Sequence, residues 1–366
     1  MVVQKIQQVV AIQKMMQGKG MGTVLVTPSS SLFFTIGRKL PQTERFNAIL
    51  IPVRGRAAIV VPVLQRPLVA DLEDEFDILV WDEAQDPIQL AAEFIANQQD
   101  KTVAVDGQMS AGFLLSLQNL SQDVSYFNAT SLIAPLRTCK SPSELALLDD
   151  LGVRFDRIWQ DFVENTSMVG MTEYEIFRRI AAIASDHGFT ELAWCDVGSG
   201  PNGASPLHHW SQRKVEPGDP VVIDFAAISE GYYMDTCRTP VAHEAHEQFV
   251  EIYDIVNRAY EAAFDLVRPG VAAENIDAAA RQEISTAGYG EYFIHRLGHG
   301  LGIDGHEAPY IVDGNKQLLE EGMTFSIEPG IYIPNRWGVR TENIVTVTEN
   351  GARSFNQFSR ELVEMQ

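Results

Sequence analysis

The stretch VVIDFAAISEGYYMDTCRT, residues 221–239, decides the fold of the chain. β-Branched and aromatic residues flank a Ser-Glu-Gly segment of turn residues, which predicts a β-hairpin. With the turn centred between Ser229 and Glu230, Asp224 stands opposite Asp235, and directly opposed side chains have Cβ atoms roughly 4.5–5.5 Å apart. Two carboxylates at that distance repel each other, so the pair indicates a cation between them.

The stretch MTFSIEPGIYIPNRWGVRTENIVTVTE, residues 323–349, repeats this arrangement. Strand-like residues flank a Pro-Asn-Arg turn, and the midpoint between Glu328 and Glu342 falls on Asn335. A hairpin centred there brings the two glutamates onto one face. The sequence therefore predicts a second pair of facing carboxylates.

Between the hairpins lies FIHRLGHGLGIDGHEAP, residues 293–309, in which glycines on both sides of His299 allow close backbone approach. Four carboxylates and one imidazole carry a charge of about −4, which matches two divalent cations, and this donor set suits Mn²⁺, Co²⁺, Fe²⁺ or Zn²⁺. Two such ions roughly 3.5–4 Å apart hold a bridging water, lower its pKa and polarise a scissile carbonyl. The sequence therefore predicts a two-metal hydrolase.

The same motifs resemble those of the pita-bread metallopeptidases, which include prolidase, aminopeptidase P and methionine aminopeptidase, with metal-free creatinase as a relative. The resemblance implies an α+β pita-bread catalytic domain with two divalent ions, for which we expect Mn²⁺ or Co²⁺ before Zn²⁺ or Fe²⁺. It identifies five metal ligands: Asp224, Asp235, His299 in LGHGLG, Glu328 in SIEPGIY and Glu342 in GVRTEN.

The resemblance also implies catalytic roles for four residues, one of which is the histidine before the first Asp, for which we favour His208. His306 in GHEAP is expected to contact substrate and stabilise the tetrahedral intermediate. Glu328 is expected to accept a proton from the bridging water, and Arg340 to brace the site.

Two departures from the family pattern concern substrate contacts. The family has a substrate-binding histidine before the first Asp, and His208 and His209 lie 16 and 15 residues before Asp224, about one short of the usual separation. We favour His208 and leave His209 open. Dipeptide-cleaving prolidases commonly carry an arginine four residues after the second histidine, at the substrate-binding position of Tyr310 here. A phenol offers no bidentate charged contact with a carboxylate, which weakens a strict dipeptidase assignment.

Composition agrees with a two-domain enzyme. The chain has 366 residues, is 45% hydrophobic and has a net charge of −21, which repels nucleic acid and anionic membranes. Its three cysteines are scattered without CxxC spacing and are expected to be free thiols. Residues 1–20 form a polar-interrupted helical pattern with no signal-peptide core, and no run of 18 apolar residues occurs. We expect a cytoplasmic protein that binds neither membranes nor nucleic acid.

Residues 1–138 alternate helical stretches with the short apolar strands GTVLVT, NAILIPV and AAIVVPV, which predicts a mixed or parallel βα sheet. This segment resembles the smaller α/β creatinase-like N-terminal domain. Residues 139–366 form the expected catalytic domain. Its predicted helices begin at the capping box of Ser141, continue at a second box from Thr172, and end with a third helix over 244–267.

The resemblance implies metal-dependent hydrolysis of the Xaa-Pro bond at the N-terminus of short proline-containing peptides. Both an Xaa-Pro dipeptidase and an aminopeptidase P-like enzyme are compatible with the residues. The alternative is a hydrolase or lyase of a non-peptide amino-acid derivative on the same dinuclear scaffold. Relatives with such an N-terminal domain use it to pack against a partner subunit, so a homodimer is expected.

Overall fold

The computed structural model describes residues 5–365. The chain divides into two compact units, Met1–Arg137 and Thr138–Gln366. Among the helices described, none combines the length and apolarity that crossing a bilayer requires. The first four residues of the predicted N-terminal helix lie outside the described residues.

The first unit is a mixed β-sheet with helices packed on it. Its strands are β1 Thr23–Val26, β2 Ala48–Pro52, β3 Ala58–Pro62, β4 Asp77–Trp81, β5 Thr102–Val105 and β6 Ser125–Asn128. Its helices are α1 Lys5–Gln17, α2 Ser30–Ile36, α3 Pro87–Ala96, α4 Ala111–Leu120 and α5 Thr130–Thr138. The sheet order is β4-β3-β2-β1-β5-β6, antiparallel from β1 to β3 and parallel elsewhere. Of the two predicted alternatives, a mixed or a parallel sheet, the structure has the mixed one.

The second unit contains more strands and longer helices. Its helices are α6 Pro142–Asn165, α7 Glu173–Asp186, α8 Glu247–Phe264 and α9 Ala273–Thr286. Its strands are β7 Glu191–Ser199, β8 Val221–Ser229, β9 Tyr232–Arg238, β10 Val241–Ala242, β11 Gly298–Gly300, β12 Glu307–Ile311, β13 Thr324–Ile327, β14 Gly330–Ile333, β15 Trp337–Arg340, β16 Asn343–Thr348, β17 Gly351–Ser354 and β18 Glu364–Met365.

Two sheets of this unit carry the predicted ligands. One is the antiparallel sheet β7-β8-β9, and the other has the order β12-β11-β13-β16-β17. The capping box of Ser141 and Glu144 starts α6, and a second box of Thr172 and Glu175 starts α7, as predicted. Each box satisfies backbone N–H groups that have no partner within the helix.

Helix α6 covers one face of the sheet β7-β8-β9. The ring of Phe225 in β8 lies 4.8 Å from that of Phe155 and 5.5 Å from that of Trp159, centroid to centroid. Burying an aromatic ring of this size stabilises the fold by about 1.5–3 kcal/mol. Because side chains alternate along a strand, Asp224 and Ala226 point to the opposite face.

Helices α8 and α9 cover the second sheet in the same manner. Phe325 and Ile327 of β13 belong to one buried cluster with Phe249 of α8 and Ile276 of α9. The alternation therefore turns Ser326 and the residue after β13 away from the helices. Both sheets thus have one helix-covered face and one face left for polar groups.

Candidate metal centre and active site

The first hairpin forms, with its turn one residue later than predicted. Ser229 pairs with Tyr232, and the turn consists of Glu230 and Gly231 with φ angles of 52° and 83°. A two-residue turn with positive φ at both positions matches the right-handed twist of the flanking strands. This match explains why the turn forms at Glu230 and Gly231 rather than one residue earlier, as predicted.

This turn changes how the two aspartates face each other. Asp224 pairs with Cys237, and Asp235 pairs with Ala226. The prediction that the two aspartates are directly opposed is therefore wrong, and they are diagonal neighbours. A register shift of two residues leaves every side chain on its original face, so both carboxylates still point the same way.

The second hairpin has the predicted register. Gly330 pairs with Arg340, and Asn335 occupies the centre of the turn with a φ of 60°. The pairing of β13 with β16 continues the same register. Glu328 and Glu342 therefore stand opposite each other, in the gap between the β13–β16 pairing and the β14–β15 pairing.

The structure brings all five predicted ligands together at one cavity of about 650 Å³ in the second unit. Nε2 of His299 lies 3.3 Å from Oε1 of Glu328 and 3.9 Å from Oδ2 of Asp235. Potential ligand atoms of Asp235, His299 and Glu342 all lie within 4.8 Å of one another. This spacing suits donors that share a cation.

Unpaired buried oxygens test whether these residues fit a metal. Among the described residues, Oδ1 of Asp235 and both carboxylate oxygens of Glu342 are buried without a hydrogen-bond partner. Burial, reinforced by neighbouring carboxylates, raises the pKa of both groups well above the usual range. Buried polar atoms normally have partners, and divalent cations would supply them. The donor set therefore fits divalent metal ions.

Asp224 is held differently from the other carboxylates. Arg340 donates from Nε and Nη2 to its Oδ2 at 2.9 and 2.6 Å, and Trp194 donates from Nε1 to its Oδ1 at 3.0 Å. Nη1 of Arg340 donates to the hydroxyl of Tyr332 at 2.6 Å, and that hydroxyl lies 2.9 Å from Nε2 of His295. Tyr332 therefore acts on the site through Arg340, whereas His295 lines the cavity itself and is linked to Arg340 by this hydroxyl.

Glu328 and two histidines also line the cavity. Burial raises the pKa of Glu328 to about 7, and Ser326 donates a hydrogen bond to its Oε1 at 3.1 Å. The rings of His299 and His306 lie 3.9 Å apart. Burial lowers the pKa of His299 to about 3 and also lowers that of His306. Both imidazoles are therefore neutral near pH 7.

The preference for His208 as a substrate contact does not agree with the geometry. Its Nε2 lies 2.9 Å from the buried carboxylate of Glu173, whereas His209 lines the cavity. His208 points away from the cavity because its ring is one of several partners, with Ser199, Asn202 and Ser211, that together satisfy the buried carboxylate of Glu173. The family separation falls on Leu207, which is 86% exposed at the cavity.

Tyr310 is not part of the cavity lining, which instead includes Arg296. The guanidinium carbon of Arg296 lies 4.7 Å from the centre of the Tyr310 ring. An arginine therefore stands beside the position at which the family pattern was expected to have one. Sequence reasoning missed it because it precedes His299 rather than following His306.

Two further cavity residues were missed, Trp194 and Asp196 on β7. Asp196 pairs directly with Asp224 across the sheet. The stretch LAWCDVGS does place the two residues on one face by strand alternation. Nothing in the local sequence indicates that β7 pairs with β8.

A helix-backed pair of sheets whose open faces present unpaired buried carboxylates beside an imidazole indicates a divalent-metal site of the kind that metal-dependent hydrolases use. Comparison with known proteins agrees. The chain belongs to Metallopeptidase family M24, whose model matches residues 150–349, and the Creatinase/Prolidase N-terminal domain matches residues 8–139.

Several of its relatives are dipeptidases by name. The chain is 38% identical to the probable dipeptidase PepE of Mycobacterium tuberculosis, covering 94% of this chain and 92% of that protein. It is 31% identical to the Xaa-Pro dipeptidase of Lactobacillus helveticus, covering 96% and 97%. The crystal structure of dipeptidase PepE from Mycobacterium ulcerans matches with a TM-score of 0.92 at 38% identity, over 99% of this chain and 98% of that one.

These findings confirm three predictions from the sequence. The chain is a metallopeptidase, and its fold is a pita-bread catalytic domain preceded by a creatinase-like N-terminal domain. Membership of the family also implies divalent metal ions.

Proposed function

We propose that the chain is a dinuclear metallopeptidase that hydrolyses the Xaa-Pro bond at the N-terminus of short peptides, with dipeptides as preferred substrates. The proposal depends above all on the buried, unpaired carboxylate oxygens of Asp235 and Glu342 beside His299. The names of the relatives support the Xaa-Pro bond. A cavity of about 650 Å³ suits a ligand of dipeptide size.

Five residues would hold the two ions, for which we propose Mn²⁺ or Co²⁺ from the oxygen-rich donor set: Asp224, Asp235, His299, Glu328 and Glu342. When bound, the ions lower the pKa of water and polarise the scissile carbonyl. Arg340 and Trp194 both donate hydrogen bonds to the carboxylate of Asp224 and so use some of its acceptor positions. A carboxylate has about four acceptor positions, and three hydrogen bonds use two on Oδ2 and one on Oδ1, so Asp224 retains about one, on Oδ1, for a cation.

The chain's own groups would then move protons and stabilise charge. Glu328, with a pKa raised by burial to about 7, is suited to accept a proton from water. His306, neutral and packed on His299, is suited to donate a hydrogen bond to a developing oxyanion. Arg340 fixes the orientation of Asp224.

We further propose that Arg296 binds the terminal carboxylate of the substrate, in place of the arginine that Tyr310 replaces. Among the described residues, no carboxylate pairs with its guanidinium, which packs on Tyr310 at 4.7 Å. A planar guanidinium binds a carboxylate through two parallel hydrogen bonds. Such a contact favours dipeptides, whose proline carries the free carboxylate.

The substrate histidine is proposed to be His209, which lines the cavity. A homodimer, a domain boundary at 138/139 and a cytoplasmic location also remain proposals. The free thiols of Cys139, Cys195 and Cys237 support a reducing compartment. Sedimentation of the purified protein tests the dimer.

Hydrolysis of three matched substrates tests the function: an Xaa-Pro dipeptide, its C-terminal amide, and an Xaa-Pro-Xaa tripeptide. We expect Mn²⁺- or Co²⁺-dependent cleavage of the dipeptide, abolished by a chelator. Arg296→Met should raise KM for the dipeptide about tenfold and leave KM for the amide nearly unchanged. Preference for the tripeptide would indicate an aminopeptidase P-like enzyme. Inactivity on all three peptides with two metals bound would favour a non-peptide substrate.

A further inference from the structure

Part of the cavity lining comes from β7 and from residues 205–207 and His209 of the loop over residues 205–211. Trp194 and Asp196 occupy one face of β7 and line the cavity. The Asp196 side chain is 15% exposed. It therefore lies at the cavity surface rather than in the surrounding solvent.

Asp196 contacts a histidine of the loop. Its Oδ1 lies 2.5 Å from Nδ1 of His209, whose side chain is 78% exposed. An exposed imidazole without a partner samples several rotamers, and a ligand must then restrict it at an entropic cost. A hydrogen bond to Nδ1 fixes the ring orientation and leaves Nε2 for another partner.

The loop around His209 is held from its other side by α7. Glu173 accepts hydrogen bonds from the backbone N–H and the hydroxyl of Ser211 at 2.9 and 2.6 Å, and its carboxylate lies 2.9 Å from Nε2 of His208. The ring of Trp210 lies 4.7 Å from that of Tyr174.

These contacts explain why a single residue of the segment reaches Asp196. His208, Trp210 and Ser211 all turn towards α7. His209, between them, turns towards β7 and the cavity. The backbone is therefore restrained on both sides of the imidazole, and the remaining freedom is that of the ring itself.

We propose that Asp196 is a positioning residue that orients His209 so that Nε2 hydrogen-bonds the bound peptide. His209 would make this contact from two residues after Leu207, the residue that stands at the family spacing and whose side chain has no polar atom. This inference rests on the proposed peptidase function. Asp196 acts on the substrate through His209 and not through Asp224, although it pairs with Asp224 in the sheet.

A double-mutant cycle tests this on the metal-loaded enzyme, with Asp196→Asn, His209→Ala and the double variant. We expect each single change to raise KM for an Xaa-Pro dipeptide about tenfold, with a smaller effect on kcat. In the His209→Ala background, Asp196→Asn should change KM less than twofold. Asp196→Glu should recover part of the loss. An equally large effect of Asp196→Asn in both backgrounds would overturn the proposal.

Metal binding separates this role from one exerted through Asp224. Titration calorimetry of Mn²⁺ should give the same stoichiometry and affinity for Asp196→Asn as for the wild type. Weaker metal binding would overturn the proposal. Asp161→Asn is a matched control, because Asp161 pairs with His187 at 2.6 Å away from the cavity. It should leave KM unchanged.

A measurement that needs no activity distinguishes failure of this inference from failure of the proposed function. Nitrogen chemical shifts of His209 should show a protonated, hydrogen-bonded Nδ1 in the wild type that is lost in Asp196→Asn. If the shifts already match a free imidazole in the wild type, the positioning role is wrong even for an active peptidase. If the hydrogen bond is present but the protein is inactive on peptides, the proposed peptide substrate is wrong. The proposed contact between His209 and a bound peptide is then wrong as well.

Discussion

Replacing Glu328 with glutamine should stabilise the metal-free protein at alkaline pH. Burial raises the pKa of Glu328 from 4.5 to about 7, because the charged form is poorly solvated and faces other carboxylates. A carboxyl whose pKa is higher in the folded state contributes full stability below its unfolded pKa. That stability is lost as the pH rises through the folded pKa. The window of loss is therefore roughly pH 4.5 to 7.

The magnitude follows from the size of the shift. One pKa unit corresponds to about 1.36 kcal/mol, so ionised Glu328 destabilises the metal-free fold by about 3 kcal/mol at pH 8. Glutamine has nearly the same shape without the charge. The variant should therefore melt roughly 6–12 °C higher than the wild type at pH 8, at 2–4 °C per kcal/mol for a unit of this size.

Differential scanning calorimetry in chelator at pH 5 and pH 8 measures the effect. At pH 5 the advantage of the variant should fall below about 1 kcal/mol, because Glu328 is then largely protonated in the folded protein. Adding Mn²⁺ should reverse the order, since the wild type gains binding energy that the variant lacks. The reasoning would be refuted if metal-free Glu328→Gln were less stable than the metal-free wild type at pH 8. It would also be refuted if the gain in stability over the wild type were the same at pH 5 and pH 8.

Three other substitutions test the scaffold around the site. Arg340→Met leaves Asp224 as a buried carboxylate without its guanidinium partner and should destabilise the metal-free protein by about 3–5 kcal/mol, measured by urea unfolding; an unchanged midpoint would contradict the brace. Phe225→Ala opens a cavity against α6 and should lower the unfolding free energy by about 3–5 kcal/mol with an unchanged denaturant slope; a loss below 1 kcal/mol would show that this packing is not needed. Cys237→Ser should leave the number of bound metal ions unchanged, because the buried thiol contacts the carbonyl oxygen of Arg340, at 3.7 Å, and is not one of the predicted ligands. Loss of bound metal in this variant would show that the thiol is a ligand.

The sequence was most informative where a local pattern determines local structure. Two carboxylates symmetrically placed about a turn share a face whenever the hairpin forms, which is why the pairing of Glu328 with Glu342 was predictable. For Asp224 and Asp235, the shared face of the sheet was predictable and the pairing register of the hairpin was not. The register differs because the turn forms at Glu230 and Gly231, both with positive φ angles.

Residues that reach the cavity from a distant part of the chain were not predictable in the same way. Asp196 and Trp194 depend on the pairing of β7 with β8, and sheet pairing is a tertiary property. Arg296 depends on the approach of β12 to β11, which brings Tyr310 against it. His208 was preferred from spacing alone, but in the structure its ring contacts the buried carboxylate of Glu173 instead of lining the cavity.

Helix α9 was also missed, because the predicted helices of the second unit ended with the one preceding Gly270. Its first residue follows Ala272, which caps the helix without a side-chain hydrogen bond. A helix that begins without Ser, Thr, Asp or Asn lacks the usual sequence signal. Its position is instead determined by the cluster it buries with α8 and β13.

Chelator-controlled hydrolysis of an Xaa-Pro dipeptide, with metal content measured on the same sample, tests the central claim most directly. The wild type should bind two divalent ions per chain and cleave the dipeptide, and a chelator should abolish both. Asp235→Ala should remain folded and lose metal-dependent turnover, because it removes an oxygen that is buried without another partner. Unimpaired cleavage by Asp235→Ala, or by the chelated wild type, would contradict the account.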